Sequence, residues 1–176
     1  MNRMTRKSIL ALAAALLASG MAVAQDKVSA LKGHDSKAPI DLSADRAEAQ
    51  DRADRAIFAG NVIVKQGELT LRTARLTLAY ANTNGIDINR IDASGGVTVT
   101  SPSETAKGDF AVYDLNEGLI TMVGNVRLER QGSFLSGGRL TIDLDSGRAV
   151  MDGGLRGVNQ SGGRVTGRFT VPKRQN

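Results

Sequence analysis

The residues that could perform chemistry in this chain are few and poorly grouped. The 176 residues include one histidine, His34, and no cysteine, so neither a nucleophilic triad nor a zinc site can be assembled from them. Asp143, Asp145 and Gly147 are spaced like the start of a calcium loop, but the other ligands are missing and a hairpin turn is favoured. Paired carboxylates of a β-helix glycosidase stay formally possible, although no spacing singles out a pair. We therefore predict no catalytic residue, no metal ligand and no cofactor.

Arginine recurs at equivalent places, at Arg46, Arg75, Arg139 and Arg164. A guanidinium group suits phosphate, which allows contact with an anionic headgroup. Each arginine, however, comes one residue before a position that we expect to face inward. Because side chains alternate along a strand, the favoured interpretation is an exposed charge that discourages wrong strand pairing.

The element that must position these residues is a repeat. A Gly-Asn-Val or Gly-Gly-Val/Leu corner begins at Gly60, Gly95, Gly124 and Gly153, with spacings of 35, 29 and 29 residues. A second motif ends at Ala47, Leu76, Ala111, Leu140 and Val165, with steps of 29, 35, 29 and 25 residues, and it lengthens at the same place. Two markers that agree on the period indicate one repeated structural unit, in which the glycine permits a bend or bulge.

Apolar and polar residues alternate between these corners, and turn residues such as Gln66-Gly67 and Asn116-Glu117-Gly118 separate the alternating runs. This pattern predicts half-buried β-strands, and the repeat register extends the strand prediction to residues 44–56. Whether the inward positions only form a core or also contact a ligand stays open on the pattern alone. The positions predicted to face inward are Ile40, Leu42, Val62, Val64, Leu76, Leu78, Tyr80, Val97, Val99, Tyr113, Leu115, Val126, Leu128, Leu140, Ile142 and Leu144.

The N-terminus has the features of a secretory signal peptide. A basic start with Arg3, Arg6 and Lys7 precedes an apolar run and the site Ala22-Val23-Ala24. We predict a signal peptide over 1–24, a flexible segment over 25–38, one domain over 39–172 and a tail over 173–176. The chain without the signal peptide has 20 basic and 18 acidic residues, a net charge of +2. This balance, with few aromatic residues, argues against a nucleic-acid partner.

Several segments resemble the OstA-like domain family of lipopolysaccharide-transport proteins. Residues Pro39–Asp45, Phe58–Gly67 and Ala74–Leu76 resemble the opening of that domain. Tyr113–Leu115, followed by Val123–Val126, resembles its second half. The likeness covers about residues 39–155 of this sequence.

The resemblance implies an all-β fold, a single-domain twisted antiparallel β jelly roll built from repeats of about 29 residues and open at both ends. It also implies a non-enzymatic role in the periplasm, in which the sixteen inward positions line an apolar groove for the acyl chains of lipopolysaccharide. Domains of this kind stack head to tail by edge-strand pairing, which implies a homo-oligomer. The N-terminal edge would meet an inner-membrane-anchored transport subunit, and the C-terminal edge would meet the outer-membrane translocon.

Three other interpretations stay open at this point. The chain could be the membrane-proximal OstA-like partner subunit of the same pathway. It could be a structural β-solenoid that assembles end to end without binding lipid. The least favoured interpretation is a carbohydrate-active β-helix enzyme, which would need a cluster of acidic residues on one concave face.

Overall fold

The computed structural model describes residues 34–82, 85–154 and 163–171. The predicted signal peptide and the predicted tail lie outside these residues, as do residues 25–33 of the predicted flexible segment. No helix in the described part of the chain has the length and apolar character that crossing a bilayer requires. The strands are β1 (Ile40–Ser43), β2 (Arg46–Gln50), β3 (Arg55–Gln66), β4 (Leu69–Ala81), β5 (Asp87–Thr100), β6 (Thr105–Asp114), β7 (Leu119–Arg130), β8 (Ser133–Asp143), β9 (Arg148–Asp152) and β10 (Thr166–Arg168).

All ten strands belong to one antiparallel sheet, in which β3 to β8 follow one another in chain order. The alternation of valine, leucine and isoleucine with threonine and charged residues suits strands that are buried on one face. Tight turns join the neighbours; Gly67, for example, has a φ angle of 55° between β3 and β4. The prediction of an all-β, antiparallel and open sheet is confirmed.

Each end of the sheet carries a strand that is split in two. At one end β1 and β2 both pair with β3, and at the other end β9 and β10 both pair with β8. The sheet does not close on itself within the described residues, since β1 and β2 have no pairing other than with β3. Both ends therefore present strand edges of the kind that another chain can extend.

A line of β-bulges crosses the sheet, and we call it the seam. Along the seam the pairing register shifts at three residue pairs, Gly60–Asn61, Gly95–Gly96 and Gly124–Asn125. A further shift, between Ala79 and Tyr80, lies away from the seam. All six residues of the three seam pairs have positive φ angles, from 45° at Asn61 to 85° at Gly95, a conformation that glycine and asparagine tolerate best. Ala74 of β4 and Asp109 of β6 lie opposite these pairs. The prediction that the glycine corners are bending devices is confirmed at these three positions.

The seam divides the sheet into two layers. Layer A carries the β3–β4, β5–β6 and β7–β8 connections, and layer B carries the β4–β5, β6–β7 and β8–β9 connections. Val64 and Val99 of layer A line the same small cavity as Ile91 and Tyr113 of layer B. The apolar faces of the two layers are therefore packed against each other, and the space between them is the protein interior.

The strand predicted over residues 44–56 is interrupted. β2 ends at Gln50, a 3₁₀ turn covers Asp51–Ala53, and β3 begins at Arg55. Asp54 has a φ angle of 45°, which reverses the chain so that β2 and β3 pair as a hairpin. The strand prediction is confirmed over Arg46–Gln50 and from Arg55 onward. It is wrong at residues 44–45, which separate β1 from β2, and within the turn, because the repeat register did not reveal this hairpin.

Candidate functional site

The interior between the layers holds all sixteen positions that the alternation assigned to the inner face. Eleven of them are buried and belong to the hydrophobic core: Val62, Val64, Leu76, Leu78, Val97, Val99, Tyr113, Val126, Leu140, Ile142 and Leu144. The other five are partly buried and pack against that core: Ile40, Leu42, Tyr80, Leu115 and Leu128. Contact of these side chains with lipid stays a prediction.

The same core contains eight buried apolar residues that the sequence pattern did not single out. They are Leu69, Leu71, Ile91, Ala93, Ala106, Ala111, Ile120 and Met122. Some of them lie in short runs that alternate between apolar and polar residues, such as Ile91-Asp92-Ala93 and Ile120-Thr121-Met122. Such alternation is a local signal for one buried face of a strand. The bulges of the seam shift the alternation by one residue within β4 and β6, which hid Leu69, Leu71 and Ala106 from an interpretation that followed a single phase. The other five keep the phase of the predicted inward residues of their strands.

The space that remains between the layers is small. A cavity of about 20 Å³ lies among Ile40, Val64, Ile91, Tyr113 and their neighbours, and its wall is almost entirely apolar. Such a volume holds about one water molecule. This cavity is too small to hold an acyl chain.

A buried polar network closes one part of the interior. Gln66, at the end of β3, is buried, and its side-chain oxygen accepts hydrogen bonds from the Tyr113 hydroxyl at 3.1 Å and from His34 Nε2 at 3.0 Å. Its side-chain nitrogen donates to the carbonyl oxygens of Ser36 at 2.8 Å and Ala38 at 3.1 Å. This network was not predicted, and it attaches residues 34–38 of the predicted flexible segment to the sheet.

The two tyrosines of the interior stay protonated at neutral pH. Burial raises the pKa of Tyr113 above its ordinary value of 10.0, and the nearby Asp145 carboxylate adds to the rise. Loss of solvent contact also raises the pKa of Tyr80, with further contributions from Asp51 and Asp54. The Tyr113 phenol is thus a hydrogen-bond donor to Gln66 across the normal pH range.

Asparagine and aspartate fasten the seam at two of its corners. Asn61 donates a side-chain hydrogen bond of 2.8 Å to Asp45, and Asn125 donates one of 2.8 Å to Asp109. At the corner between them, Gly95 lies against Ala74 instead, where an added Cβ would be 2.9 Å from the alanine Cβ. Along the three corners of the seam, a side-chain hydrogen bond is thus present, absent and present again. Each corner helps to keep the apolar face of its strands turned inward.

The recurring arginines lie away from the interior. Arg46, Arg75, Arg139 and Arg164 are all exposed, as predicted. The alternation behind that prediction is confirmed at Arg75 and Arg139 only, because Ala47 and Val165, which follow the other two arginines, are exposed as well. Arg46 forms an ion pair of 3.6 Å with Glu48 on the outer surface. Their positions favour a role as surface charges over contact with a ligand between the layers.

Asp143 belongs to a turn. Its carboxylate accepts a hydrogen bond of 2.9 Å from the Ser146 amide, which lowers the pKa of Asp143 below its ordinary value. This geometry closes the β8–β9 hairpin, as the sequence interpretation favoured. Across residues 34–82, 85–154 and 163–171, no group of three or more metal-ligating side chains could hold an ion.

The two edges of the sheet differ in chemistry. Near the β9 and β10 edge, Val150, Phe169 and Val171 are large apolar side chains with exposed fractions of 37%, 67% and 82%. The β1 and β2 edge instead exposes polar and charged side chains such as Arg46 and Glu48. Exposed apolar groups at an open strand edge are typical of a surface that contacts another protein.

Comparison with known proteins shows the family. The model of the family described as "LptA/(LptD N-terminal domain) LPS transport protein" matches residues 41–148. An uncharacterized protein of Rhizobium meliloti (strain 1021) is 32% identical over 154 residues, which are 82% of this chain and 82% of that protein. The chain belongs to the LptA and LptD N-terminal domain family of lipopolysaccharide-transport proteins.

Other relatives agree with this assignment. The LPS-assembly protein LptD of Yersinia enterocolitica is 34% identical over 86 residues, and LptD of Yersinia pestis bv. Antiqua matches to the same extent. The matched residues are 48% of this chain but 11% of each LptD, so the chain corresponds to a small part of those proteins.

A solved structure shares the fold. LptH of Pseudomonas aeruginosa, described as the LptA homologous periplasmic component of the conserved lipopolysaccharide transport device, matches with a TM-score of 0.69. The match covers 78% of this chain and 99% of LptH, at 19% sequence identity. At this identity the likeness concerns the fold, which is that of the LptA-like proteins.

Proposed function

We propose that this chain is a periplasmic lipopolysaccharide-binding transport protein without enzymatic activity. It shuttles or bridges lipopolysaccharide from the inner-membrane export complex to the outer-membrane translocon. The observation that carries this proposal is the continuous apolar interior. Side chains from every long strand form one cluster, which extends from Ile40 and Leu42 of β1 to Met151 of β9.

The chemistry of this interior suits acyl chains. Removing hydrocarbon from water gains about 0.8 kcal/mol per methylene group, and a continuous apolar face offers this gain along its whole length. The interior is lined mainly by slim aliphatic side chains, and aromatic residues make up 3% of the sequence. Such a surface has no deep pocket that would hold one part of a lipid in place, which favours movement along the face.

The open edges support the proposed partners. β1 and β2 leave one edge of the sheet for the inner-membrane-anchored subunit, and β9 and β10 leave the other for the outer-membrane translocon or for a second copy of this chain. Strand addition at such edges supplies backbone hydrogen bonds without requiring specific side chains. The apolar groups at the β9 and β10 edge would be covered by such a neighbour.

Photo-crosslinking in cells tests the proposal. Tyr80 is partly buried on the inner face of β4, and an aromatic photoreactive residue there replaces a ring of similar shape. The matched control places the same photoreactive residue at Thr77, three positions earlier on the outer face of β4. We expect lipopolysaccharide adducts at position 80 and few or none at position 77.

The outcomes separate the competing functions. Adducts at position 77 without adducts at position 80 would refute lipid transport along the interior. Absence of lipid from both positions, with end-to-end assembly retained, would favour the structural β-solenoid. A membrane-proximal partner subunit would give the inner-face adduct but would stay with inner-membrane fractions.

A further inference from the structure

We infer that residues 34–38 and the side chains of Gln66 and Tyr113 form a latch that holds layers A and B together and controls the entry of acyl chains. Residues 34–38 are called the strap. The latch consists of the strap together with the side chains of Gln66 and Tyr113. The inference rests on the proposed lipid-binding function, because it assigns a regulatory element to that same interior.

The first support is the position of the hydrogen bond between Gln66 and Tyr113. Gln66 ends β3 in layer A, whereas Tyr113 lies near the end of β6 in layer B. These strands are not neighbours in the sheet, so the bond of 3.1 Å passes between the layers and does not follow the sheet. Both side chains are buried, with exposed fractions of 4% and 5%.

The second support is the completeness of the network around the Gln66 amide. A glutamine side chain can accept two hydrogen bonds and donate two, and Gln66 makes all four. Because its oxygen is the acceptor, the Nε2 atom of His34 carries the hydrogen in this arrangement. Opening the layers would leave buried polar groups without partners, and that loss resists opening.

The third support is the size of the cavity next to the latch. Gln66, Tyr113 and Ile40 line the cavity of about 20 Å³, and Ile40 follows the strap in sequence. This space accommodates about one water molecule and no acyl chain. A chain that enters here must separate Gln66 from Tyr113, so the latch lies on the path of opening.

The proposal is tested with two variants and a matched control. Tyr113→Phe removes the hydroxyl and keeps the ring, and Gln66→Met removes the amide and keeps the length of the side chain. Thr73→Val is the control, because the Thr73 hydroxyl is also buried but donates a 2.7 Å hydrogen bond to Ser94 on the neighbouring strand. This bond crosses the seam between the neighbouring strands β4 and β5 and so follows the sheet. Thr73→Val thus tests the loss of a buried hydrogen bond that does not pass between the facing apolar surfaces of the layers.

The first measurement is the stopped-flow binding rate of cis-parinaric acid, a fluorescent fatty acid, to the purified chain. Removing one buried hydrogen bond changes an equilibrium by about 2- to 12-fold. We expect Tyr113→Phe to bind the probe faster by a factor in that range, Gln66→Met, which removes four hydrogen bonds, to bind it faster by at least as much, and Thr73→Val to bind at the rate of the unmodified chain. Equal rates in all four proteins would overturn the latch and leave lipid binding intact.

The second measurement needs no lipid. Amide hydrogen exchange at Ala38, whose N–H donates to the Asp35 carbonyl at 3.1 Å, reports whether the strap stays in place. We expect faster exchange over residues 34–40 in Gln66→Met, which removes the hydrogen bonds to the strap, a smaller increase in Tyr113→Phe, which keeps them, and no increase in Thr73→Val. If the unmodified chain fails to bind the probe, the proposed function fails, while the exchange data still decide for or against the latch.

Discussion

The substitution Gly124→Ala offers the sharpest test of how the seam creates the inward-facing surface. Gly124 has a φ angle of 80°, which costs an alanine about 1–2 kcal/mol. An added Cβ would also collide with the Asp109 carboxylate and lie 2.8 Å from the Asp109 Cβ. Asp109 would have to move, and its hydrogen bond from Asn125 would be lost.

The magnitude follows from these two contributions. The Asn125–Asp109 bond is exposed, so its loss costs about 0.5–1.5 kcal/mol. With the backbone cost, Gly124→Ala should lower the free energy of unfolding by about 1.5–3.5 kcal/mol. Gly96→Ala is the matched control, since Gly96 has a φ angle of 83° and no atom within 4 Å of an added Cβ. It should cost the backbone contribution alone, about 1–2 kcal/mol.

Urea unfolding followed by circular dichroism measures both variants. The double variant Asp109→Gly/Gly124→Ala removes both the carboxylate and the Cβ of residue 109, and should lose less stability than the sum of the two single variants. Equal destabilisation by Gly124→Ala and Gly96→Ala would refute the packing explanation of the seam. Additive losses in the double variant would lead to the same conclusion.

Three further predictions concern the interior, its titration and the edge. Met122 is fully buried, so Met122→Ala should lower the free energy of unfolding, measured by urea titration, by about 2–5 kcal/mol. A loss below about 1 kcal/mol would show that the core around Met122 is loosely packed. The folded-state pKa of Tyr113 is raised above the ordinary value of 10.0. The stabilisation that the protonated phenol gives is therefore complete below pH 10.0 and is lost as the pH rises through the folded-state pKa. Tyr113→Phe should therefore reduce the alkaline loss of unfolding free energy, and an unchanged alkaline slope would contradict burial of the phenol. At the edge, Val150→Lys should weaken self-association measured by sedimentation velocity. The control is Phe110→Lys, which changes an exposed apolar residue on the central strand β6 and should leave self-association unchanged. Equal effects of the two substitutions would argue against docking through β9.

Much of the fold followed from local signals. Alternation around Leu76 and Leu140 predicted which face is apolar, because successive side chains of a strand point to opposite sides. The seam could be predicted from Gly60 and Gly124, because positive φ angles favour glycine wherever it occurs. The turn at Asp51–Ala53 was missed, since Asp54 is a non-glycine residue in the left-handed region and leaves no strong sequence signal.

The polar part of the site could not be predicted in the same way. Gln66 stands in a turn motif next to Gly67 and looks like an ordinary exposed turn residue in sequence. Its partners His34 and Tyr113 are 32 and 47 residues away, so no local pattern relates them. Only the folding of layer A onto layer B brings the three side chains together.

Three properties could be predicted from the amino-acid sequence: the period of the repeat, the apolar face of each strand and the places where the strands bend. All three depend on the conformations that each residue and its neighbours can adopt. The tertiary structure alone decided that the two layers pack together with a cavity of about 20 Å³ between them, that Gln66 and Tyr113 join them, and that each end of the sheet carries a split strand. These features depend on contacts between parts of the chain that are distant in sequence, and no local pattern of residues encodes such contacts.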